Sequence, residues 1–164
     1  MAGFAGHLIM ETTLLNGQKI SKNDILIHFS GTADELNSHL GLVKAMLNDK
    51  DTRKFIEEIQ KNIMRLMSHV SDSGNKEYLF TKKESACLEK EIDRLTAMIP
   101  KTSQFVLPGR DVTDAQIHIA RTVARRAERL FAAVSEQRQL CMNAGAYLNK
   151  LSGYLFLLAQ IPRI

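Results

Sequence analysis

Along most of this chain apolar residues return every three or four positions, and its three prolines, Pro100, Pro108 and Pro162, fall outside those runs. A proline within a helix removes a backbone hydrogen bond and clashes with the preceding turn, so uninterrupted runs predict long helices. Leu36, Leu40, Val43 and Leu47 form the first stripe, opened by Thr32 as N-cap and Glu35 three residues later, a capping-box pattern. Phe55, Ile59, Ile63, Leu66 and Val70 form the second, from near Asp51-Thr52 to the Ser71–Asn75 turn. The third begins at Thr81 with Glu84 completing another capping box, and stops at Pro100. Lys101 to Thr113 reads as loop, and two further helices are expected over roughly Asp114–Glu136 and Met142–Ala159. Residues 1–30 read as loop with no convincing strand. The expected fold is therefore all-α, a five-helix bundle in one domain over 1–164, with an N-terminal loop (1–30) and a bundle (31–160).

The 164 residues suffice for a core without disulfides. A net charge of +4 favours anionic ligands but falls short of a nucleic-acid signature, and aromatics for stacking on bases make up only 6%. Cys87 and Cys141 lack a partner motif and read as free thiols in a reducing compartment. No apolar run approaches the roughly 18 residues of a membrane span, and residues 1–10 do not resemble a secretory signal. A cytoplasmic location is expected. Most methionines, among them Met10, Met46, Met64, Met67, Met98 and Met142, fall at apolar helical positions and read as core filler. Of the five histidines only His118, with Asp114 four residues before it, has a zinc-like spacing, an ordinary polar or partly buried histidine being the expected reading at each.

The fourth helix carries the most chemistry. Ile117, Ile119, Ala120, Val123, Ala124, Ala127, Leu130 and Phe131 share one arc, and Asp114, His118, Arg121, Arg125, Glu128 and Arg129 share the other. Arg121, Arg125 and Arg129 stack at four-residue steps, where like charges cost about 0.2–0.5 kcal/mol per pair. Three readings fit the spacing: a solvated basic face with internal ion pairing, a phosphate site, and a nucleic-acid surface. A guanidinium fork can give two hydrogen bonds to one phosphate, which makes the second chemically specific.

The words around this helix narrow the choice. FVLPG at 105–109 followed by HIARTVARRAER at 118–129, AYLNKLSGYLFLLA at 146–159 and GTADELNS at 31–38 occur in that order. Together they resemble the PduO-type ATP:cob(I)alamin adenosyltransferases over about residues 11–160. The resemblance implies a homotrimer with active sites between subunits. It implies transfer of the 5′-deoxyadenosyl group of ATP to cob(I)alamin with release of triphosphate, accompanied by Mg2+, and a cobalamin reductase as a further partner.

Carried onto this chain, Arg121 matches an arginine that pairs across the subunit interface with the aspartate of GTADELN, Asp34. Arg125 matches a phosphate-contacting arginine, Glu128 the acid beside it, and Asn149 an asparagine near the nucleotide. Phe105 matches an aromatic placed beneath the corrin, where it displaces the lower cobalt ligand. Thr12, Thr13 and Lys22 match the second half of the family's nucleotide loop.

Its first half departs. The glycine-rich core of that loop is replaced by His7, Leu8, Ile9 and Met10, whose side chains disfavour close approach to phosphate. Arg110 stands where the family has a second glycine after LPG, Lys150 where it has arginine, Gly153 for the aspartate of LSDYLF, and His28 for a usual glutamate. These departures leave two alternatives beside the enzyme: a relative that binds corrinoid or nucleotide without efficient turnover, and a basic helical interaction module.

Overall fold

A computed structural model describes residues 10–100 and 105–162. A two-stranded hairpin, β1 (Glu11–Thr13) and β2 (Lys19–Ser21), precedes five helices: α1 (Ile25–Met46), α2 (Lys50–Ser71), α3 (Lys82–Met98), α4 (Val112–Gln137) and α5 (Met142–Gln160). The bundle matches expectation; the hairpin and the early start of α1 correct it.

The hairpin pairs Glu11 with Ser21 and Thr13 with Lys19, antiparallel. Its turn needs Gly17 at φ +83°, and the turn closes through Gly17 N–H donating to Leu14 O at 2.9 Å. Leu14 and Ile20 are buried, which holds the hairpin to the bundle, and Leu15 N–H donates to Ser71 Oγ at 2.8 Å.

Helix α1 begins seven residues before the expected Thr32. Asp24 is its cap, the carboxylate accepting from Leu26 N–H at 2.8 Å, so the polar turn ending at Asp24 is a helix start. Ser30-Gly31-Thr32 does not interrupt the helix. Ser30 Oγ donates back to Leu26 O, and Phe29 and Ala33 on either side are fully buried. The second capping box does form: Thr81 Oγ1 accepts from Lys83 N–H, and Glu84 Oε2 accepts from Thr81 N–H at 2.9 Å.

Helix α1 packs on α4 and α2, while α5 packs on α4 and α3. Helix α5 is central, with Tyr147, Leu148, Leu151, Tyr154 and Leu155 fully enclosed. Each such aliphatic side chain contributes about 1.5–3 kcal/mol by leaving water. Alanines 120, 124 and 127 line the buried side of α4 and let α1 and α5 approach closely. The methionine expectation is corrected: Met10, Met64, Met98 and Met142 are exposed. Ile119, assigned to the apolar arc, is exposed as well. No described helix is long and apolar enough to cross a membrane.

The chain direction sets two ends. Phe29 near the start of α1 meets Phe131 near the end of α4, with ring centroids 5.7 Å apart, and Phe131 also lies against Gly145 of α5. The hairpin therefore sits at the end where α4 finishes, and the segment around Phe105 at the end where it starts.

Candidate active site

Helix α4 is 26 residues long, roughly 39 Å. Asp111 caps it, accepting from Asp114 N–H at 2.8 Å. The polar arc read as one face is not uniform. Asp114 and His118 are buried, 2% and 3% exposed, while Arg125 and Arg129 lie in solvent and Arg121 is half-buried between them. The apolar end of α5 explains the difference, because it covers the first two turns of α4; the Phe156 ring lies against His118, centroids 6.5 Å apart.

The arginines divide by partner. Arg126 is ion-paired with Glu35 of α1, which gives Glu35 a role across the bundle in place of the expected cap. Arg121 Nε donates to His118 Nδ1 at 3.2 Å, and Arg129 donates to the carbonyl of Arg125. Among the described residues Arg121, Arg125 and Arg129 have no carboxylate partner.

One turn further on, Asn149 Nδ2 donates to Glu128 Oε1 at 2.7 Å and joins α5 to α4. Here the structure brings two expected site residues together. Beyond them a groove of about 580 Å³ runs between α4 and α5, with Glu128 and Asn149 on its rim and Phe131, Ala132 and Ala146 in its walls. Gly145 lets the helices close there: a Cβ would lie 3.2 Å from the Phe131 ring, so the ring would have to shift by a few tenths of an ångström. Gly153, by contrast, faces open space, so packing does not exclude the aspartate of the family pattern.

The remaining expected residues are not brought together within one protomer. Asp34 is exposed on α1 and does not pair with Arg121. Thr12 is half-buried on β1, and Thr13 and Lys22 are exposed on the hairpin end, where Lys22 N–H extends the ladder to Met10 O at 2.8 Å. Phe105 is fully exposed at the opposite end. His7, Leu8 and Ile9, the altered half of the nucleotide loop, lie outside the described residues.

Sequence reasoning missed the work of Asp114 and Gln116. Asp114 Oδ2 accepts from Gly109 N–H at 2.7 Å and Arg110 N–H at 3.1 Å, and buried Gln116 lies 2.6 Å from His39 Nδ1, linking α4 to α1. An acid in the first turn of a helix that follows a Pro-Gly turn was the available signal for the first. No group of three or more potential metal ligands occurs among the described residues.

Most of the chain is similar to known proteins. The family model for cobalamin adenosyltransferase matches residues 10–161. The chain is 35% identical over 154 residues to a corrinoid adenosyltransferase of Citrobacter freundii, covering 92% of this chain and 88% of that one. It is 35% identical over 156 residues to the corrinoid adenosyltransferase PduO of Salmonella typhimurium, but spans only 46% of that longer protein. A variant of the PduO-type ATP:corrinoid adenosyltransferase of Lactobacillus reuteri, solved with cobalamin and ATP, superimposes with a TM-score of 0.85 at 29% identity over 92% of this chain and 87% of that one. With its helices in that arrangement and its sequence matched from the hairpin to the end of α5, the chain belongs to the cobalamin adenosyltransferase family.

Proposed function

We propose that this chain transfers the 5′-deoxyadenosyl group of ATP to cob(I)alamin, releasing triphosphate and forming adenosylcobalamin. The observation that carries the reading is the set of cations on α4 that no carboxylate of the described residues pairs with, beside the Glu128–Asn149 pair. The reduced cobalt attacks C5′ of the ribose and gives up two electrons to the new cobalt–carbon bond. The C5′–O bond breaks, and its electron pair leaves with the triphosphate. Charge grows on the leaving group, so an arginine fixed in place beforehand lowers the barrier. Arg125 is the residue assigned to that task. Glu128 is suited to help hold the Mg2+ that accompanies a triphosphate, since magnesium commonly takes one or two carboxylates and fills its other positions with phosphate and water. The ion supplies charge neutralisation.

Assembly belongs to the same proposal. Thr12, Thr13 and Lys22 lie at one end of a helix roughly 39 Å long and Phe105 at the other, so a single copy does not surround two large reactants. A homotrimer with each site between neighbouring copies supplies the missing wall. In it Asp34 of one copy meets Arg121 of the next. Phe105 then contacts the corrin. The chain acts as one such domain throughout, in the cytoplasm, with its two free cysteines reduced and a cobalamin reductase supplying cob(I)alamin.

An anaerobic assay with ATP and chemically reduced cobalamin tests the activity directly. The absorbance change of cobalt–carbon bond formation is expected, with one triphosphate released per adenosylcobalamin. ATP-independent, steeply salt-sensitive binding to random oligonucleotides, with no adenosylation, favours the basic interaction module instead.

A further inference from the structure

Arg110 stands where the family pattern has glycine, and one end of its half-exposed guanidinium is tied to α5. Its Nη2 donates to Ala159 O at 2.9 Å and Ile161 O at 3.1 Å, two carbonyls at the C-terminal end of α5. Such carbonyls lack partners within their own helix, and a guanidinium there also complements the helix dipole. Its backbone N–H, with that of Gly109, is held by one oxygen of Asp114. Gly109 has φ +107°, a conformation that glycine reaches freely and other residues rarely adopt, and glycine by itself does not hold the turn there, which leaves that task to the carboxylate.

The same carboxylate faces the arginine row. Asp114 Oδ1 lies 3.8 Å from His118 Nε2, and the other ring nitrogen of His118 receives the hydrogen bond from Arg121. The turn after Phe105 and the first arginine are thereby referenced to one buried face of α4.

We propose that Asp114, backed by Arg110, is a positioning residue that fixes the 105–110 turn so that Phe105 meets the corrin face at a set height relative to Arg121. Neither residue touches a reactant. Asp114 acts through two backbone amides, and Arg110 ties the turn to the end of α5. The proposal rests on the adenosyltransferase reading.

The test uses the whole chain in its native assembly. Hydrogen exchange is followed at the amides of Gly109 and Arg110, and cob(II)alamin is titrated spectroscopically in the presence of ATP. Asp114→Ala is expected to speed exchange at both amides by at least about 10-fold and weaken corrinoid binding about 10-fold, while KM for ATP stays within about twofold. Asp114→Asn should restore corrinoid affinity to within about threefold, because an amide oxygen can accept both bonds. Arg110→Gly should move corrinoid affinity about threefold in the same direction and serves alone if Asp114→Ala does not fold. Unchanged exchange, equal losses for ATP and corrinoid, or no rescue by asparagine overturns the proposal. A wild-type chain that protects both amides yet forms no adenosylcobalamin refutes the activity and leaves the anchor standing.

Discussion

Two sets of charges on this bundle behave in opposite ways. Between α2 and α3, Arg65 Nη2 meets Glu84 Oε1 at 2.7 Å with its guanidinium 4.5 Å over the Phe80 ring, and within α3 Arg94 meets Glu91 at 2.8 Å. On α4, Arg121, Arg125 and Arg129 stack at four-residue steps with no ion pair to a carboxylate among the described residues. Cations of the first set are matched by the protomer's own carboxylates; those of the second have none among the described residues and repel one another. Partner, rather than exposure, is what distinguishes the two sets, because both include residues in contact with solvent.

The largest expected effect falls on the open set. Arg125→Ala should reduce adenosylation by on the order of 10²-fold, since one preorganised donor facing developing charge contributes that much. Its thermal midpoint should not fall, because relief of repulsion within the row offsets any lost contact. An unchanged rate in the anaerobic assay takes Arg125 out of the mechanism. A large loss of stability blurs the contrast between the two sets.

Glu84→Gln should do the reverse, costing about 2 kcal/mol of stability while turnover per folded molecule holds. Burial alone would push the Glu84 carboxyl up, but hydrogen bonds from Arg65, the Thr81 hydroxyl and nearby backbone outweigh it and bring it down to about 2. A carboxylate depressed on folding stabilises fully above its unfolded value, near 4.5, and that contribution fades as pH falls toward 2. Urea unfolding between pH 6 and 3 should therefore show wild type and variant converging below pH 4.5. A constant gap across that range excludes the ion pair as the cause.

Asp34 tests whether a neighbouring copy closes the open set. Asp34→Asn should weaken association by about 10-fold, the loss expected for one charged pair at an interface rim or half-buried edge. Sedimentation at several concentrations measures it. If assembly and activity both persist, Arg121 is balanced by something other than Asp34.

How much of this was legible beforehand depends on the range of each interaction. The Thr81–Glu84 box spans three residues and was readable in full, as was the stacking of Arg121, Arg125 and Arg129 along one helix side. The cap at Asp24 is equally local but lay in a polar turn resembling loop, and the small residues Ser30-Gly31-Thr32 suggested a break that buried Phe29 and Ala33 prevent. Which arginine of α4 is already matched was not readable. Glu35 and Arg126 are 91 positions apart, and only the packing of α1 on α4 joins them. Asp114 and His118 were placed on the polar arc because a helical wheel knows the side of a residue but not what covers the helix end. The motif words placed Glu128 and Asn149 at the nucleotide site, but their contact was not readable, since it depends on α5 lying beside α4.

His69 gives the smallest effect and a second way to isolate the structural set. It is 1% exposed at the end of α2, and its Nε2 accepts from Cys141 N–H at 3.0 Å where α5 begins. Helix α5 has no side-chain cap of its own, so this bond satisfies one of its orphan donors. Protonating the ring would turn the acceptor into a donor and set a positive charge against the positive end of the helix dipole. Burial pushes the imidazole below its ordinary 6.5. The folded chain then binds fewer protons than the unfolded one at mildly acid pH, so stability is complete above about 6.5 and declines as pH drops below it. The steepest decline one such group produces is about 1.4 kcal/mol per pH unit. His69→Gln should lower stability at pH 7.5 by about 1 kcal/mol and flatten its dependence between pH 6.5 and 5, while the Glu84 transition stays in place at lower pH. Catalysis per folded molecule should not follow that curve, because nothing in the α4 row contacts His69. If turnover instead tracks the His69 titration, the paired and open charges are coupled through α5, whose Asn149 holds Glu128 two turns beyond Cys141.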